Sequence, residues 1–175
     1  NRGIFLLLQI FHQLLKGKGT FCHYCRNMLP KLNFPLFTFK IEGDRKKMIF
    51  DEVRKKYLVL TPEEWVRQHM VKYLTENKGF PTGYVGLELS LQYNKQHKRA
   101  DIVIYGPDLK PEILVECKAP HIKLDNSVIE QTARYYSVLS PKLIILTNGM
   151  KHVVMQKNSG GEIEFLRDIP FYEKQ

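Results

Sequence analysis

The stretch HKRADIVIYGPDLKPEILVECKA, residues 97–119, decides how the chain is read. Two runs, HKRADIVIY (97–105) and EILVECKA (112–119), flank GPDLKP (106–111), a cluster of turn residues, so the pattern predicts a hairpin. A hairpin symmetric about that turn sets Asp101 directly opposite Glu116. Opposed side chains in an antiparallel pair have Cβ atoms roughly 4.5–5.5 Å apart, where two carboxylates repel unless a proton or a cation lies between them. Lys118 lies two residues past Glu116 and projects from the same face of the strand. Two acids and a lysine on one patch of sheet read as a divalent-metal site with a basic partner. Edge-strand charges that discourage aggregation are the competing reading, and the hairpin alone leaves it open. The neighbours favour the first: Ile102, Val103 and Ile104 follow Asp101, while Ile113, Leu114 and Val115 precede Glu116. Continuous apolar runs belong to strands covered on both faces, and a charge at the end of one needs compensation.

Working outward, a helix is predicted to start at Thr61, with Pro62 in its first turn and Glu64 completing a capping box. Trp65, Val66, His69, Met70, Tyr73 and Leu74 recur at the spacing of one buried face, and the helix should end near Asn77–Gly79. Residues 84–93 alternate as a strand, with Val85, Leu87, Leu89 and Leu91 on one face. After the hairpin, Ser127 and Glu130 form a second capping box, opening a helix through Val138 or Leu139. KLIILT (142–147) reads as a buried strand, Asn148–Gly149 as a hairpin turn into HVVMQ (152–156), and EIEFL (162–166) as a last strand. Upstream, LFTFKIE (36–42) and KMIFDEV (47–53) can pair around Gly43–Asp44, and YLVL (57–60) is a short apolar run. There is no internal repeat and no low-complexity tract.

With 175 residues the chain can hold one domain with a real core. Its formal charge of +9 points to a polyanionic partner, or to a basic surface alone. Cys22, Cys25 and Cys117 make no disulfide framework; Cys22-x-x-Cys25 lacks a second half for zinc, and Cys117 should point into the core, so a reducing cytoplasm fits. IFLLLQIFHQLL (4–15) is too short to span a bilayer, which takes about twenty residues. It also lacks a small-residue cleavage site, the first alanine being Ala100. Residues 1–27 are therefore expected to be a non-native or upstream extension, with the native start near Met28 and residues 28–175 forming a single domain.

In order and spacing, TPEEWVRQ (61–68), KRAD (98–101), ECK (116–118), QTARY (131–135) and LTNG (146–149) resemble the N-terminal nuclease domain of type I restriction enzyme R subunits, within the PD-(D/E)xK superfamily. The resemblance spans 28–175. It implies a three-layer α/β/α restriction-endonuclease-like fold with a central mixed sheet of about four strands. It also implies Asp101 and Glu116 as ligands of Mg²⁺ or Mn²⁺, Lys118 as the catalytic lysine, and Glu64 as the best match for a helix acid. Gln131 and Tyr135 match a Gln-x-x-x-Tyr motif shared with RecB-like nucleases, and lie on one helix face. Ala100 stands where the superfamily name has proline, as R subunits often show. R subunits continue into a helicase-like motor, but this chain has no G-x-x-x-x-G-K-[ST], and KGKGT (16–20) is only a partial match.

The expected function is a free-standing, metal-dependent DNA endonuclease, with Lys98 and Arg99 beside the phosphate path and restriction-system specificity, modification or motor subunits as further partners. The alternative is a silent nuclease-fold module that binds DNA or another protein without cutting; RNA is a third, weaker substrate. Glu64 divides between a site role and a helix cap. Glu63 and Glu88 are expected as solvated acids, and His69 and His97 as packed or surface residues.

Overall fold

The apolar runs on either side of GPDLKP do form neighbouring strands. In a computed structural model, residues 29–173 are described, apart from 94, 95, 138 and 159 and the side chains of 90–93, 96–98, 135 and 137. Strands β5 (Gln96–Tyr105) and β6 (Pro111–Cys117) pair antiparallel, with Ile102 opposite Val115, Val103 opposite Leu114 and Ile104 opposite Ile113. That is the register expected from the turn, and it leaves Asp101 and Glu116 as the next positions beyond its last pair. The sheet continues in the order β4-β5-β6-β7-β8-β9, with β4 at Val85–Tyr93, β7 at Leu143–Thr147, β8 at His152–Lys157 and β9 at Ile163–Leu166. Only the β6–β7 pair is parallel, because the chain crosses over between them through a helix, so the sheet is mixed. It has six strands rather than the expected four or so.

Helix α1 (Pro62–Lys72) covers one face of this sheet and helix α2 (Asn126–Ser137) the other, giving the expected three layers. Trp65, Val66, Met70 and Leu74 pack with Val85, Leu87, Ile102, Ile104, Val115 and Ile145. On the opposite side Tyr136 and Leu124 pack with Ala100, Val103, Leu114, Ile144 and Leu146. Each fully buried side chain of this kind contributes roughly 1.5–3 kcal/mol.

Leu87 and its partner Ile102 pack on the α1 side, whereas Leu89 and its partner Ala100 pack on the α2 side. Both strands therefore turn over between these pairs, at Glu88 and Asp101. Glu88 has φ +51°, a left-handed conformation that is uncommon outside glycine. This corrects the expectation that Val85 to Leu91 share one face: the period of two fails where one residue leaves extended geometry.

Thr61 caps α1 as expected, its hydroxyl accepting the Glu64 N–H at 3.0 Å. The helix widens into a π-turn over Tyr73–Asn77 and ends before Gly79, φ +81°. For α2 the cap is Asp125, not Ser127. Its carboxylate accepts the Val128 N–H at 3.1 Å, and its carbonyl accepts the Ile129 N–H at 3.0 Å. The Asn148–Gly149 turn forms with Gly149 at φ +78°, and a Cβ there would lie 2.8 Å from a Leu32 methyl. Upstream, β1 (Ile41–Glu42), β2 (Met48–Asp51) and β3 (Lys56–Val59) make a separate antiparallel sheet.

Among the described residues no helix is long and apolar enough to cross a membrane. Residues 1–27, with Cys22, Cys25 and the apolar segment 4–15, lie outside the described residues. Cys117 is buried, and burial pushes its thiol well above the usual range.

Candidate active site

The β5–β6 pairing ends at Ile102 and Val115, so Asp101 and Glu116 are the next positions at the open end of the hairpin, still held in the sheet by β4 and β7. Asp101 is held from two sides: Cys117 donates its backbone N–H to Oδ2 at 2.7 Å, and Arg67 donates a guanidinium N–H to Oδ1 at 2.8 Å. Glu116 accepts from the Lys118 ammonium at 2.6 Å on Oε1 and from the Tyr136 hydroxyl at 2.6 Å on Oε2. The Lys118 backbone N–H is fixed to the Thr147 carbonyl at 2.8 Å, which ties the lysine to β7. Burial pulls the Lys118 ammonium down. The hydrogen bond and charge of Glu116, with the charges of Asp101 and Glu63, outweigh it and raise the pKa above its usual value.

The two adjacent acids of α1 part company. The Glu64 backbone N–H completes the Thr61 cap, but its carboxylate does not return to Thr61. It is buried between Arg67, Arg54 at 3.3 Å and the Gln68 amide at 2.8 Å. Glu63 is half-exposed and lies 3.2 Å from Arg67. Burial raises the Glu63 carboxyl above its usual range, and the charges of Asp101 and Glu116 add to the shift against Arg67 and Lys118. Glu63, expected as a solvated acid, is thus the α1 acid that senses both strand carboxylates. Glu88 is also no solvated strand acid: it pairs with Arg54, Arg99 and Arg67.

Together Asp51, Glu63, Glu64, Glu88, Asp101 and Glu116 face Arg54, Arg67, Arg99 and Lys118, six carboxylates against four cations. The donors are all oxygens, as a hard cation such as Mg²⁺ prefers. Asp101 and Glu116 spend one protein hydrogen bond on each oxygen, and a carboxylate oxygen has lone pairs for two. Asp101 and Glu116 are thus oxygen donors of the kind that could hold Mg²⁺ or Mn²⁺. Among the described residues no three His, Cys, Asp or Glu side chains converge into a ready-made metal cage.

Beside the acids opens a cleft of about 230 Å³, lined by Arg99, Glu116, Lys118, Val128, Gln131, Thr132 and Tyr136. Gln131 and Arg99 stand exposed on its wall. The side chains of Tyr135 and Lys98 lie outside the described residues, so the Gln131–Tyr135 pairing and the place of Lys98 are not tested; nor is His97. Tyr136, fully buried except for the reach of its hydroxyl, was missed. Its signal was present: Val128, Thr132 and Tyr136 recur every fourth residue on one face of α2. Arg67 was missed as well, although an arginine three residues from Glu64 on a helix with an apolar face was the available clue. Arg54 had no sequence signal, since Asp51 of the small sheet carries it into the site at 2.7 Å. His69 is packed, as expected, against Trp65 and Phe39.

The family described as "Type I restriction enzyme R protein N terminus (HSDR_N)" matches residues 62–170, from the start of α1 past the end of β9. No curated protein matches the chain. A solved fragment described as an HsdR subunit of a type I restriction enzyme from Vibrio vulnificus YJ016 is similar at 20% identity and a TM-score of 0.46. The match covers 64% of this chain and 24% of that one, so this chain spans about a quarter of the solved fragment's length. The matched residues contain both helices, the six-stranded sheet and Glu88, Asp101 and Glu116, and the chain belongs to the family of type I restriction enzyme R protein N-terminal domains.

Proposed function

We propose that this domain is a Mg²⁺- or Mn²⁺-dependent DNA endonuclease that hydrolyses phosphodiester bonds at the open end of the β5–β6 hairpin. The observation that carries the reading is the meeting of Asp101, Glu116 and Lys118 beside a cleft walled by Arg99 and Gln131. Asp101 and Glu116 would hold the cation through their free lone pairs, with Glu63 of α1 as the neighbouring acid. A bound divalent cation supplies Lewis-acid polarisation of the scissile phosphate and a more acidic water. Arg99 and Gln131 hold the sugar–phosphate backbone, positioning rather than reading sequence. Lys118 orients the attacking water and stabilises charge on the phosphoryl oxygens. The water oxygen bonds to phosphorus, the bond to the leaving nucleotide oxygen breaks, and the water proton passes to that oxygen or to solvent. Sequence choice and DNA translocation fall to specificity, modification or motor subunits, and the work is cytoplasmic.

A second reading, a module that binds DNA without cutting, draws on one observation: each oxygen of Asp101 and Glu116 already has a protein donor. The test separates the two. The full chain is incubated with supercoiled plasmid and Mg²⁺ or Mn²⁺ beside Asp101→Asn and Lys118→Met. Metal-dependent nicking that both substitutions abolish supports the nuclease. Equal cleavage by wild type and variants defeats the site, and salt-sensitive DNA binding with no cleavage favours the module.

A further inference from the structure

Arg67 does more than complete an ion pair. It is 5% exposed, yet its guanidinium meets acids from three elements: Glu63 and Glu64 of α1, Glu88 of β4 and Asp101 of β5. Among the described residues its Nε is the buried side-chain polar atom left without a partner. A residue placed only to stabilise the helix would not be expected to leave a buried donor unsatisfied in order to gather four carboxylates. The arrangement follows the needs of Asp101. Arg67 takes one oxygen from the α1 side and the Cys117 N–H takes the other from β6, which fixes the plane of the carboxylate. The same NH2 group holds Glu63 at 3.2 Å, so the α1 acid and the strand acid are set by one rigid fork.

We propose that Arg67 is the positioning residue of the site, a permanently charged clamp that holds Asp101 and Glu63 at the spacing a divalent cation requires. The proposal rests on the reading of Asp101 as a cation ligand. It follows that lysine cannot substitute: one ammonium on a flexible stem keeps the charge but loses the second nitrogen, so it cannot hold Asp101 and Glu63 on one prong while Glu64 and Glu88 fix the other. Arg67 is too deeply buried to touch DNA, so its loss acts on the chemical step and on cation binding, not on DNA affinity.

The test compares the full-length wild type with Arg67→Lys, reading Mn²⁺ binding by calorimetry without DNA, then kcat and KM on plasmid, and Tm. Arg67→Lys is expected to bind Mn²⁺ about tenfold more weakly and to lose about a hundredfold in kcat, with KM for DNA within about twofold. Wild-type Mn²⁺ affinity and kcat with only a lower Tm would overturn the proposal and leave the nuclease reading standing. A wild type that binds no Mn²⁺ overturns both. If circular dichroism shows Arg67→Lys unfolded, Glu88→Gln decides, since it loosens the far side of the fork without touching Asp101. A loss of Mn²⁺ affinity in the same direction, about threefold, supports the clamp, and unchanged affinity overturns it.

Discussion

Glu63 and Glu64 are neighbours with the same side chain, and burial divides their work. Glu64 is closed in with Arg54, Arg67 and Gln68, while Glu63 stands half-exposed towards Asp101 and Glu116. Removing one partner of a buried ion pair leaves charge uncompensated, so Glu64→Gln is expected to cost about 3 kcal/mol of stability in urea denaturation. Glu63→Gln removes a half-exposed pair and should cost less than about 1 kcal/mol. Cleavage at saturating Mg²⁺ should show the converse, falling more in Glu63→Gln than its small stability loss explains. Equal stability losses in the two variants would show that the division is wrong. A sequence offers no way to separate adjacent acids beyond helical phase; the family resemblance pointed to Glu64, while its capping-box position offered it a structural role instead. The side chain that decides the matter, Arg67, is placed in part by Asp101, 34 residues away.

At the scale of elements, the strands and helices were legible because their signals are local. Apolar runs gave β5, β6 and β7, and Thr-Pro-Glu-Glu gave the start of α1. Two local signals misled. Val85 to Leu91 alternate cleanly, but Glu88 at φ +51° turns the strand over, and the pull of Arg54, Arg67 and Arg99 on its carboxylate is not written in the alternation. Ser127-x-x-Glu130 matches a capping box, yet Asp125 offers a charged acceptor to the first N–H groups of α2, the better partner for the positive end of a helix. Ser127 spends its hydroxyl on Asp125 at 2.7 Å. Asp125→Ala should therefore lower Tm more than Ser127→Ala does. Hydrogen exchange at Val128 and Ile129 should speed up in Asp125→Ala alone; faster exchange in Ser127→Ala would restore the capping box. Because α2 carries Tyr136 to Glu116, fraying at this end also loosens the site from its far side.

Across the whole molecule, the 34–39 segment and α1 meet in an aromatic wedge around one histidine. The His69 ring centroid lies 4.1 Å from Trp65, 4.6 Å from Phe39, 5.7 Å from Phe34 and 6.0 Å from Phe37, and its Nδ1 bonds to the Trp65 carbonyl at 2.9 Å. Burial pulls its pKa down from 6.5 to about 4, against the smaller upward effect of that carbonyl. The unfolded chain then binds a proton from about pH 6.5 downward, while the fold refuses it until about pH 4. Stability is complete above the unfolded value and is lost as pH falls between the two, by about 3 kcal/mol for this residue alone. His152, also lowered by burial, adds to the same slope. Urea denaturation of wild type and His69→Phe at steps from pH 7.5 to 4.5 measures it. The wild-type curve should fall steeply below about pH 6.5, and the variant, which keeps a ring in the wedge but cannot take the proton, should fall less. Parallel curves would show that His69 is not the refused proton. The wedge packs α1, and α1 carries Glu63 and Arg67. Loss of cleavage in this pH range with a parallel loss of fold then reports the wedge, and only loss that precedes unfolding reports the acids themselves.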